Sequence, residues 1–428
     1  MDSAQKQLGP WAIATSIGAI ATSILLLISG CGVANAPDAA ATDTAEVSEV
    51  VEAQSTQRLY STSDENHELA SLPYAERTVD PEWQNRGVVL HDPERAFEGL
   101  NFYSSRDLPA AFLLDMDGEP VHQWRRRGGA WQHVDLLPNG DVLALVKDTA
   151  LVRVDLDSEI VWIYKAAVHH DLWRTSEGEI YVLARKTERR PKLHPRHPIQ
   201  VDYILVLDDE GQLLREISVL DLILNSPYAF LLPSTSHRLW AKDGVAPEDI
   251  ELDFIHTNHV EVLDGSLEDF FPHYRKGHLL LSFRHLNTIA IADPAAQTLV
   301  WAWGPTNVTR QHHPTVLENG NILLFDNGKK TSKVLELDPR TSKIVWSYGD
   351  DPDFFTPSRG GNVRLANGNT LITESDPGYV FEVTPDGETV WRFANPRIDK
   401  NNERAAIWRM VRFTEGELPF LQHLEPDA

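Results

Sequence analysis

The chain has 428 residues, enough for one large or two ordinary domains with a sizeable hydrophobic core. A net charge of −24, from 63 acidic and 39 basic side chains, lacks the basic footprint that a phosphate backbone requires, so we expect no nucleic-acid partner. The same charge repels anions, so an anionic substrate would need a local basic site. The single cysteine, Cys31, excludes an intramolecular disulfide.

The N-terminal segment predicts export and attachment to a membrane. Residues 11–30 form an uncharged apolar run that ends in Ile28-Ser29-Gly30-Cys31, which resembles a bacterial lipobox. We therefore expect a lipoprotein signal peptide over 1–30, lipidation of Cys31, and a location in the cell envelope facing the periplasm or exterior. A plain transmembrane anchor is the alternative, since 20 apolar residues span a bilayer. Residues 31–86 are small and polar, which predicts a disordered tether.

A repeated pair of sequence elements begins near residue 87. The first is an apolar residue, a turn rich in Asp, Pro and Gly, and a strand that usually ends in an aromatic residue. Its six copies are LDMDGEPVHQW (114–124), VDLDSEIVWIY (154–164), LDDEGQLLREI (207–217), ADPAAQTLVWAW (292–303), LDPRTSKIVWSY (337–348) and VTPDGETVWRF (383–393). The second is a small Gly turn followed by an apolar strand, as in ENGNILLF (318–325).

Two hairpins in every 40 to 45 residues or so are typical of a β-propeller blade. The repeats predict an all-β fold, a six-bladed β-propeller over 87–413, with a C-terminal tail at 414–428. We expect the strand at 407–413 to close the ring on the first blade and a helix to lie in the insertion at 218–255. An open β-sandwich is the alternative fold. The Trp residues at the repeat ends predict packing between blades.

Four polar clusters interrupt the repeats. They are His169-His170-Asp171, His256-Thr257-Asn258, Ser282-Phe283-Arg284 and Gln311-His312-His313. His170 and His312 each lie seven residues before the first turn residue of the following hairpin; the same offset gives Gln132 and Gly360 in other blades. Since the innermost strands of a propeller line its channel, these positions should face one axis. Each cluster could instead serve only the structure, by making ordinary turn hydrogen bonds. Several His and Arg side chains facing one channel, however, are costly to bury without an anionic partner, so they favour an anionic ligand.

With these clusters in place, residues 87–413 resemble the arylsulfotransferase family of bacterial six-bladed propellers. The resemblance depends on HHD (169–171), DFIHTN (253–258), LLSFRHLNTIAIAD (280–293) and QHHPTVLENGNILLFDNG (311–328). The family's disulfide-forming cysteine pair is absent, and the N-terminus differs from the β-rich dimerising domain of the best-known members. The sequence does not predict an oligomeric state.

The resemblance implies a nucleotide-independent transfer of a sulfuryl group from an aromatic sulfate ester to a phenol. It implies that His312 is a transiently sulfated nucleophile, and that His170, His256 and Arg284 are its essential partners. The adjacent His313 leaves the nucleophile open by one position. We expect Asn258, His313 and His169 to contact substrate, and we expect no cofactor and no metal.

Two other classes of function remain open at this stage. One is a non-catalytic, surface-tethered propeller that acts as a binding or assembly scaffold. The other is a metal-dependent hydrolase, for which His256 and His259 are the only closely spaced histidine pair of interest.

Overall fold

The computed structural model describes residues 85–424, apart from 107, 234–251, 350 and 399–402. The expected signal peptide at 1–30, Cys31 and nearly all of the expected tether at 31–86 lie outside the described residues. None of the helices in the described part of the chain is both long and apolar enough to cross a membrane.

Six antiparallel sheets account for the described strands, and each is one blade, which confirms the predicted six-bladed β-propeller. The strands of each blade are given from the innermost outward. Blade 1 consists of β26 (Ile407–Phe413), β2 (Leu100–Ser105), β3 (Ala110–Leu114) and β4 (Pro120–Arg125), and blade 2 of β5 (Trp131–Leu136), β6 (Val142–Val146), β7 (Ala150–Val154) and β8 (Ile160–Lys165). Blade 3 consists of β9 (Val168–Arg174), β10 (Ile180–Glu188), β11 (Ile199–Leu207) and β12 (Leu213–Ser218). A short strand, β13 (Leu252–Asp253), pairs in parallel with β11.

The other three blades follow in chain order. Blade 4 consists of β14 (Thr257–Val262), β15 (Leu279–Phe283), β16 (Thr288–Asp293) and β17 (Thr298–Trp303), and blade 5 of β18 (His312–Val316), β19 (Ile322–Asp326), β20 (Lys333–Asp338) and β21 (Lys343–Tyr348). Blade 6 consists of β22 (Gly361–Arg364), β23 (Thr370–Glu374), β24 (Tyr379–Val383) and β25 (Thr389–Ala394), with β1 (Gly87–His91) on the outer edge of β25.

Both ends of the described chain close the ring. Strand β26 is the innermost strand of blade 1 and pairs with β2, with Arg412 opposite Asn101. This confirms the closing role predicted for 407–413. Strand β1 adds to blade 6, with Val88 opposite Phe393. Closure pairs strands that would otherwise be open edges.

The repeated Asp and Trp residues have local structural roles. In the turn after β3, Asp115 Oδ1 accepts hydrogen bonds from the backbone N–H groups of Asp117 and Glu119, at 2.9 Å each. This Asx turn explains why the repeat needs Asp at that position. Trp124 is buried and its Nε1 donates to the carbonyl oxygen of Gly140 in blade 2 at 3.0 Å. The expected packing of repeat-end Trp residues between blades is therefore seen at this junction.

Two segments outside the blades pack onto them. Helix α1 (Val219–Leu224) begins at Ser218, whose Oγ accepts from the Asp221 N–H at 3.2 Å, and its apolar side chains join the core between blades 3 and 4. The sequence predicted a helix here. Residues 414–424, set apart as a tail in the sequence, form 3₁₀ turns at Glu415–Glu417 and Pro419–His423. They bury Phe420 against the first two blades, because the segment carries apolar side chains that reach this core.

β-bulges occur in the innermost strands at the level of the polar clusters. The pairing register shifts between Thr257 and His259 in β14, and between His312 and Thr315 in β18. Similar shifts occur at the corresponding pairings of β5, β9 and β26. A bulge changes the direction of a side chain and leaves backbone groups unpaired, so it places polar residues toward the channel.

Candidate active site

One position recurs on the innermost strand of every blade. It is found by taking the innermost-strand residue that pairs with the first residue of the second strand, and counting four residues back. In blade 3, for example, Arg174 pairs with Ile180, and the residue four positions before Arg174 is His170. The same count applies in the other five blades. We call this the ring position. From blade 1 to blade 6 it is occupied by Arg409, Gln132, His170, Asn258, His312 and Gly360.

A cavity of about 270 Å³, including its open mouth, lies on the axis at this level. Its lining residues are His170, Asn258, His312, His313, Arg359, Gly360, Trp408 and Arg409. Five of the six ring residues are among them. The fold thus brings together side chains from five blades that lie far apart in sequence, and four of the residues selected from the sequence line one cavity.

The hydrogen bonds of His312 determine its tautomer. Its Nδ1 lies 2.6 Å from Oδ1 of Asn327. Asn327 is buried, and its Nδ2 donates to the carbonyl oxygens of Thr356 and Arg359 at 2.8 Å each. Those two acceptors fix the amide so that only its oxygen faces His312. The proton of the neutral imidazole is therefore on Nδ1, and the lone pair is on Nε2.

His313 has the opposite arrangement. The backbone N–H of Asn362 donates to His313 Nδ1 at 3.2 Å, so the proton of the neutral ring is on Nε2. Burial, with a smaller effect from the charge of Arg409, holds the pKa of His313 well below its usual value. The two adjacent histidines therefore present different ring nitrogens as acceptor and donor.

His170 is surrounded by aromatic rings at the cavity wall. Its ring centre lies 4.8 Å from that of His256 and 6.1 Å from that of Trp408. His169 stands behind it, with Nδ1 2.8 Å from His170 Nδ1, and is not one of the cavity-lining residues. His170 and His256 have φ angles of 59° and 53°. Such left-handed backbone in non-Gly residues is uncommon and is concentrated at functional sites.

His256 forms a pair with a carboxylate. Its Nδ1 lies 2.5 Å from Asp253 Oδ2, three residues earlier in the chain. A carboxylate at this distance orients an imidazole and stabilises its protonated form, which is the arrangement that general acid–base catalysis requires. His256 does not line the cavity itself but contacts His170, which does.

Arg284 lies next to this pair and, like His256, is not one of the cavity-lining residues. Its side chain is buried, its backbone N–H donates to the carbonyl oxygen of His256 at 3.1 Å, and its Nη1 donates to His285 Nε2 at 2.9 Å. Gln311 connects this region to the cavity, because its carbonyl oxygen accepts from Asn258 Nδ2 at 2.9 Å. The Gln311 Nε2 also donates to the carbonyl oxygen of Phe283.

In the described part of the chain, one group of side chains has the spacing of a metal site. Its members are Asp253, His256 and His285, whose ligand atoms lie within 4.8 Å of one another. His285 already uses both ring nitrogens, since Nδ1 donates to the Asp253 carbonyl oxygen at 3.0 Å and Nε2 accepts from Arg284. A metal ion there would displace a guanidinium and would lie beside its charge. These donors suit an acid–base pair better than a metal.

A second cluster of titratable side chains adjoins the ring residues, and its members His133, Asp171 and His259 each follow a ring residue by one position. Asp171 Oδ2 is 2.6 Å from His259 Nδ1, and Asp171 Oδ1 is 3.5 Å from His133 Nε2 and 3.2 Å from Arg409 Nη1. Burial opposes the charge of Asp171, but Arg409 and His259 outweigh it and hold the pKa of this carboxyl well below its usual value. Burial lowers the pKa of His133 to about 3. The cluster therefore places one carboxylate beside two imidazoles and the guanidinium of the ring residue Arg409.

Glu261, on β14, is predicted to destabilise the protein at alkaline pH. Burial raises its pKa to about 8, whereas an unfolded Glu titrates near ~4.3. Between these values the folded state holds a proton that the unfolded state has lost, so stability falls as the pH rises. Glu261→Gln should increase the free energy of unfolding near pH 8 by about 1–3 kcal/mol relative to the wild type, and change it little near pH 4.

Urea unfolding of both proteins at several pH values would measure this, with the exposed Glu318→Gln as the matched control. Parallel pH dependence of the wild type and Glu261→Gln would contradict the prediction.

Sequence reasoning missed several residues of the site. Asp253 had a usable signal, because it is the first residue of DFIHTN. Asn327 belongs to the quoted segment 311–328, yet only the fold places it behind His312. Arg409 was missed because β26 is not followed by a hairpin turn within its blade, so the turn offset could not be applied. Arg359 precedes Gly360, which the offset did find.

A comparison with family models gives one match over most of the repeat region. Residues 133–396 match the family described as "Arylsulfotransferase (ASST)", which is more than half of the chain. The matched range includes His170, His256, Arg284 and His312, and it ends before β26. No curated protein sequence matches the chain.

Among solved structures, a protein of unknown function from Bacteroides caccae is 13% identical, covering 74% of this chain and 99% of its own, with a TM-score of 0.46. The WD40 β-propeller domain of Doa1 is 14% identical, covering 77% and 92%, with a TM-score of 0.42. A catalytically inactive virginiamycin B lyase from Staphylococcus aureus with quinupristin is 13% identical, covering 76% and 94%, with a TM-score of 0.41. Similarities at this level carry no argument about function.

Proposed function

Because the chain belongs to the arylsulfotransferase (ASST) family, we propose that it transfers a sulfuryl group from an aryl sulfate to a phenol through a sulfated histidine. His312 is the nucleophile of this reaction. The observation that carries the proposal is the tautomer of His312, which places the lone pair on Nε2 while Asn327 holds the proton on Nδ1. His313 has its proton on Nε2, which favours His312 for this role.

In the first step, His312 Nε2 attacks the sulfur atom of the donor. A nitrogen–sulfur bond forms, the bond between sulfur and the aryl oxygen breaks, and the phenolate leaves with the electron pair. Protonated His256 does not line the cavity, so its proton reaches that oxygen through His170, whose ring centre lies 4.8 Å from its own. The Asp253 carboxylate, 2.5 Å from His256 Nδ1, stabilises the imidazolium beforehand. Splitting one transfer into two steps is the general benefit of a covalent intermediate.

In the second step, neutral His256 takes the proton of the acceptor phenol by the same route, through His170. The phenol oxygen attacks sulfur, a new sulfur–oxygen bond forms, and the bond to His312 breaks. His170 and Asn258 bind the sulfuryl oxygens from the cavity wall, and Arg284, which does not line the cavity, stabilises their charge at longer range. The side chains that perform each step all come from residues of this chain.

Steady-state kinetics with 4-nitrophenyl sulfate and a phenol acceptor test the proposal. A sulfated enzyme intermediate predicts ping-pong kinetics, seen as parallel lines in double-reciprocal plots at several acceptor concentrations. Intersecting lines would show that both substrates must bind together, which would overturn the two-step scheme. No turnover with any aryl sulfate would favour the non-catalytic scaffold.

Asn327→Asp should shift the pH profile of the reaction. A carboxylate beside His312 Nδ1 favours the imidazolium, which has no lone pair for attack. The acid limb of kcat/KM should therefore move to higher pH by about 1 unit or more. Asn395→Asp is the matched control, because Asn395 is also buried and donates to a backbone carbonyl, but its hydrogen bonds go to Ser105 and Ala405 and not to a histidine. An acid limb that moves equally in both variants would contradict the role of Asn327.

A further inference from the structure

The two halves of the cavity differ in chemistry. Blades 3 to 5 contribute His170, Asn258 and His312, the residues placed in sulfuryl transfer. Blades 6 and 1 contribute two arginines and a tryptophan, which no step of that mechanism uses. We call Arg359, Trp408 and Arg409 the arginine–tryptophan wall. Since blades 1 and 4 are opposite in a six-membered ring, this wall faces the half that carries out the transfer.

Arg409 occupies the ring position of blade 1, so its side chain belongs to the same level as His170 and His312. Its Nη1 donates to Asp171 Oδ1 at 3.2 Å, a long contact to a carboxylate that His259 approaches more closely, at 2.6 Å. Its Nε is buried and has no hydrogen-bond partner among the described residues. Because Arg409 lines the cavity and this N–H has no partner among the described residues, an anionic oxygen atom is favoured beside its guanidinium.

Arg359 and Trp408 complete the wall. Arg359 has a φ of 62° and is followed by Gly360 at 107°, so the backbone bends sharply where it meets the cavity. The Arg359 Nη1 donates to Asp376 Oδ1 at 2.6 Å, which holds the guanidinium in place, 5.0 Å from the centre of the Trp408 ring. Trp408 Nε1 donates to the carbonyl oxygen of His170 at 3.2 Å, which fixes the indole beside the histidine half.

The backbone conformation at position 360 also requires a glycine. A Cβ atom there would lie 2.6 Å from the Phe325 ring, in addition to the unfavourable φ. The bend that presents Arg359 is therefore built into the packing of blade 6 against blade 5. An arginine held in an uncommon conformation by a specific ion pair is consistent with a functional position.

We propose that the arginine–tryptophan wall binds an acceptor phenol that carries a carboxylate, with its ring against Trp408 and its carboxylate on Arg409. This inference rests on the proposed function, and it names the acceptor class. A guanidinium presents a planar fork of donors that matches a planar carboxylate, and an indole provides a flat surface for a single aromatic ring. In a chain of net charge −24, such a local basic wall is what an anionic acceptor requires.

The test compares two nearly isosteric acceptors, 4-hydroxybenzoate and 4-hydroxybenzamide, with 4-nitrophenyl sulfate as donor. We expect kcat/KM for the acid to exceed that for the amide by about 10- to 100-fold, the range for hydrogen bonds between charged groups. Arg409→Gln should reduce this ratio to near unity. Arg409→Lys, which keeps the charge but not the fork, should give an intermediate ratio. Arg215→Gln, which removes an arginine paired with Glu179 outside the cavity, is the matched control and should keep the wild-type ratio.

A second readout needs no turnover. Calorimetric titration with benzoate and benzamide should show tighter binding of the acid to the wild type, and loss of that preference in Arg409→Gln. A wild type that does not prefer the acid in either assay overturns the inference, whatever its transfer activity. A preference that survives in both Arg409 variants overturns the assignment to Arg409. A binding preference for benzoate without any sulfuryl transfer would instead refute the proposed function and leave the carboxylate site standing.

Discussion

His312→Asn should abolish aryl sulfate turnover, lowering kcat/KM by at least about 10³-fold, because it removes the group that accepts the sulfuryl moiety. Asparagine retains a side chain that can bond to Asn327, so the loss is expected without a large change in stability. Release of 4-nitrophenol from 4-nitrophenyl sulfate measures the effect, and thermal unfolding confirms that the variant is folded.

The matched control is His122→Asn, which changes a partly buried histidine on the outer strand of blade 1 that bonds to the Leu156 carbonyl oxygen. It should keep wild-type turnover. His313→Asn should lose less activity than His312→Asn, because His313 Nδ1 accepts from the Asn362 backbone and its Nε2 carries the proton. A His312→Asn enzyme with turnover near that of the wild type would remove His312 from the mechanism.

Arg284→Met should lower kcat by about 10²- to 10³-fold, the usual cost of losing one group that stabilises transition-state charge. The transition-state charge is spread over three sulfuryl oxygens. A guanidinium suits it because it is permanently protonated and provides several donors in one plane. Arg284→Lys should recover only part of the loss, because an ammonium group lacks the fork.

The measurement is kcat for 4-nitrophenyl sulfate together with inhibition by inorganic sulfate, which should weaken in parallel. Arg340→Met, at an exposed arginine paired with Asp338, is the control for loss of a positive charge. Unchanged sulfate inhibition in Arg284→Met would place Arg284 outside the sulfuryl site and leave it a structural role beside His256.

Much of the fold was predictable because a propeller repeats its local sequence. Most blades have an Asx turn such as that of Asp115 and an aromatic residue such as Trp124 that packs on the next blade, and both leave a visible pattern. Ring closure by 407–413 was also predictable, because six copies of the repeat left one strand over. The packing of Phe420 was not, since a single apolar residue after the last repeat carries no periodic signal.

Site residues were predictable only in blades whose innermost strand is followed directly in the sequence by a hairpin turn. The turn offset located His170 and His312, which lie two blades apart and line one cavity. The same offset could not locate Arg409, because β26 is the last strand of the propeller in the sequence and no hairpin turn follows it in its blade. It also gave no hint that His169 and Arg284 do not line the cavity. Those placements depend on β-bulges and on contacts between blades, and neither has a local sequence pattern.

The tautomers of His312 and His313 are equally invisible in the sequence. They depend on Asn327 and on the backbone of Asn362, which approach the two rings from neighbouring strands. Adjacent histidines with the same composition therefore differ in chemistry through their surroundings alone. The proposed distinction between His312 as nucleophile and His313 as its neighbour therefore depends on tertiary structure.

The most direct test of this account is to trap the intermediate. Purified enzyme is mixed with an aryl sulfate carrying radioactive sulfur in the absence of acceptor, then quenched and digested for mass spectrometry. The account predicts about one acid-labile sulfuryl group per chain, bound to His312, that is lost when a phenol is added. Label on another residue, or label that persists in His312→Asn, would contradict it.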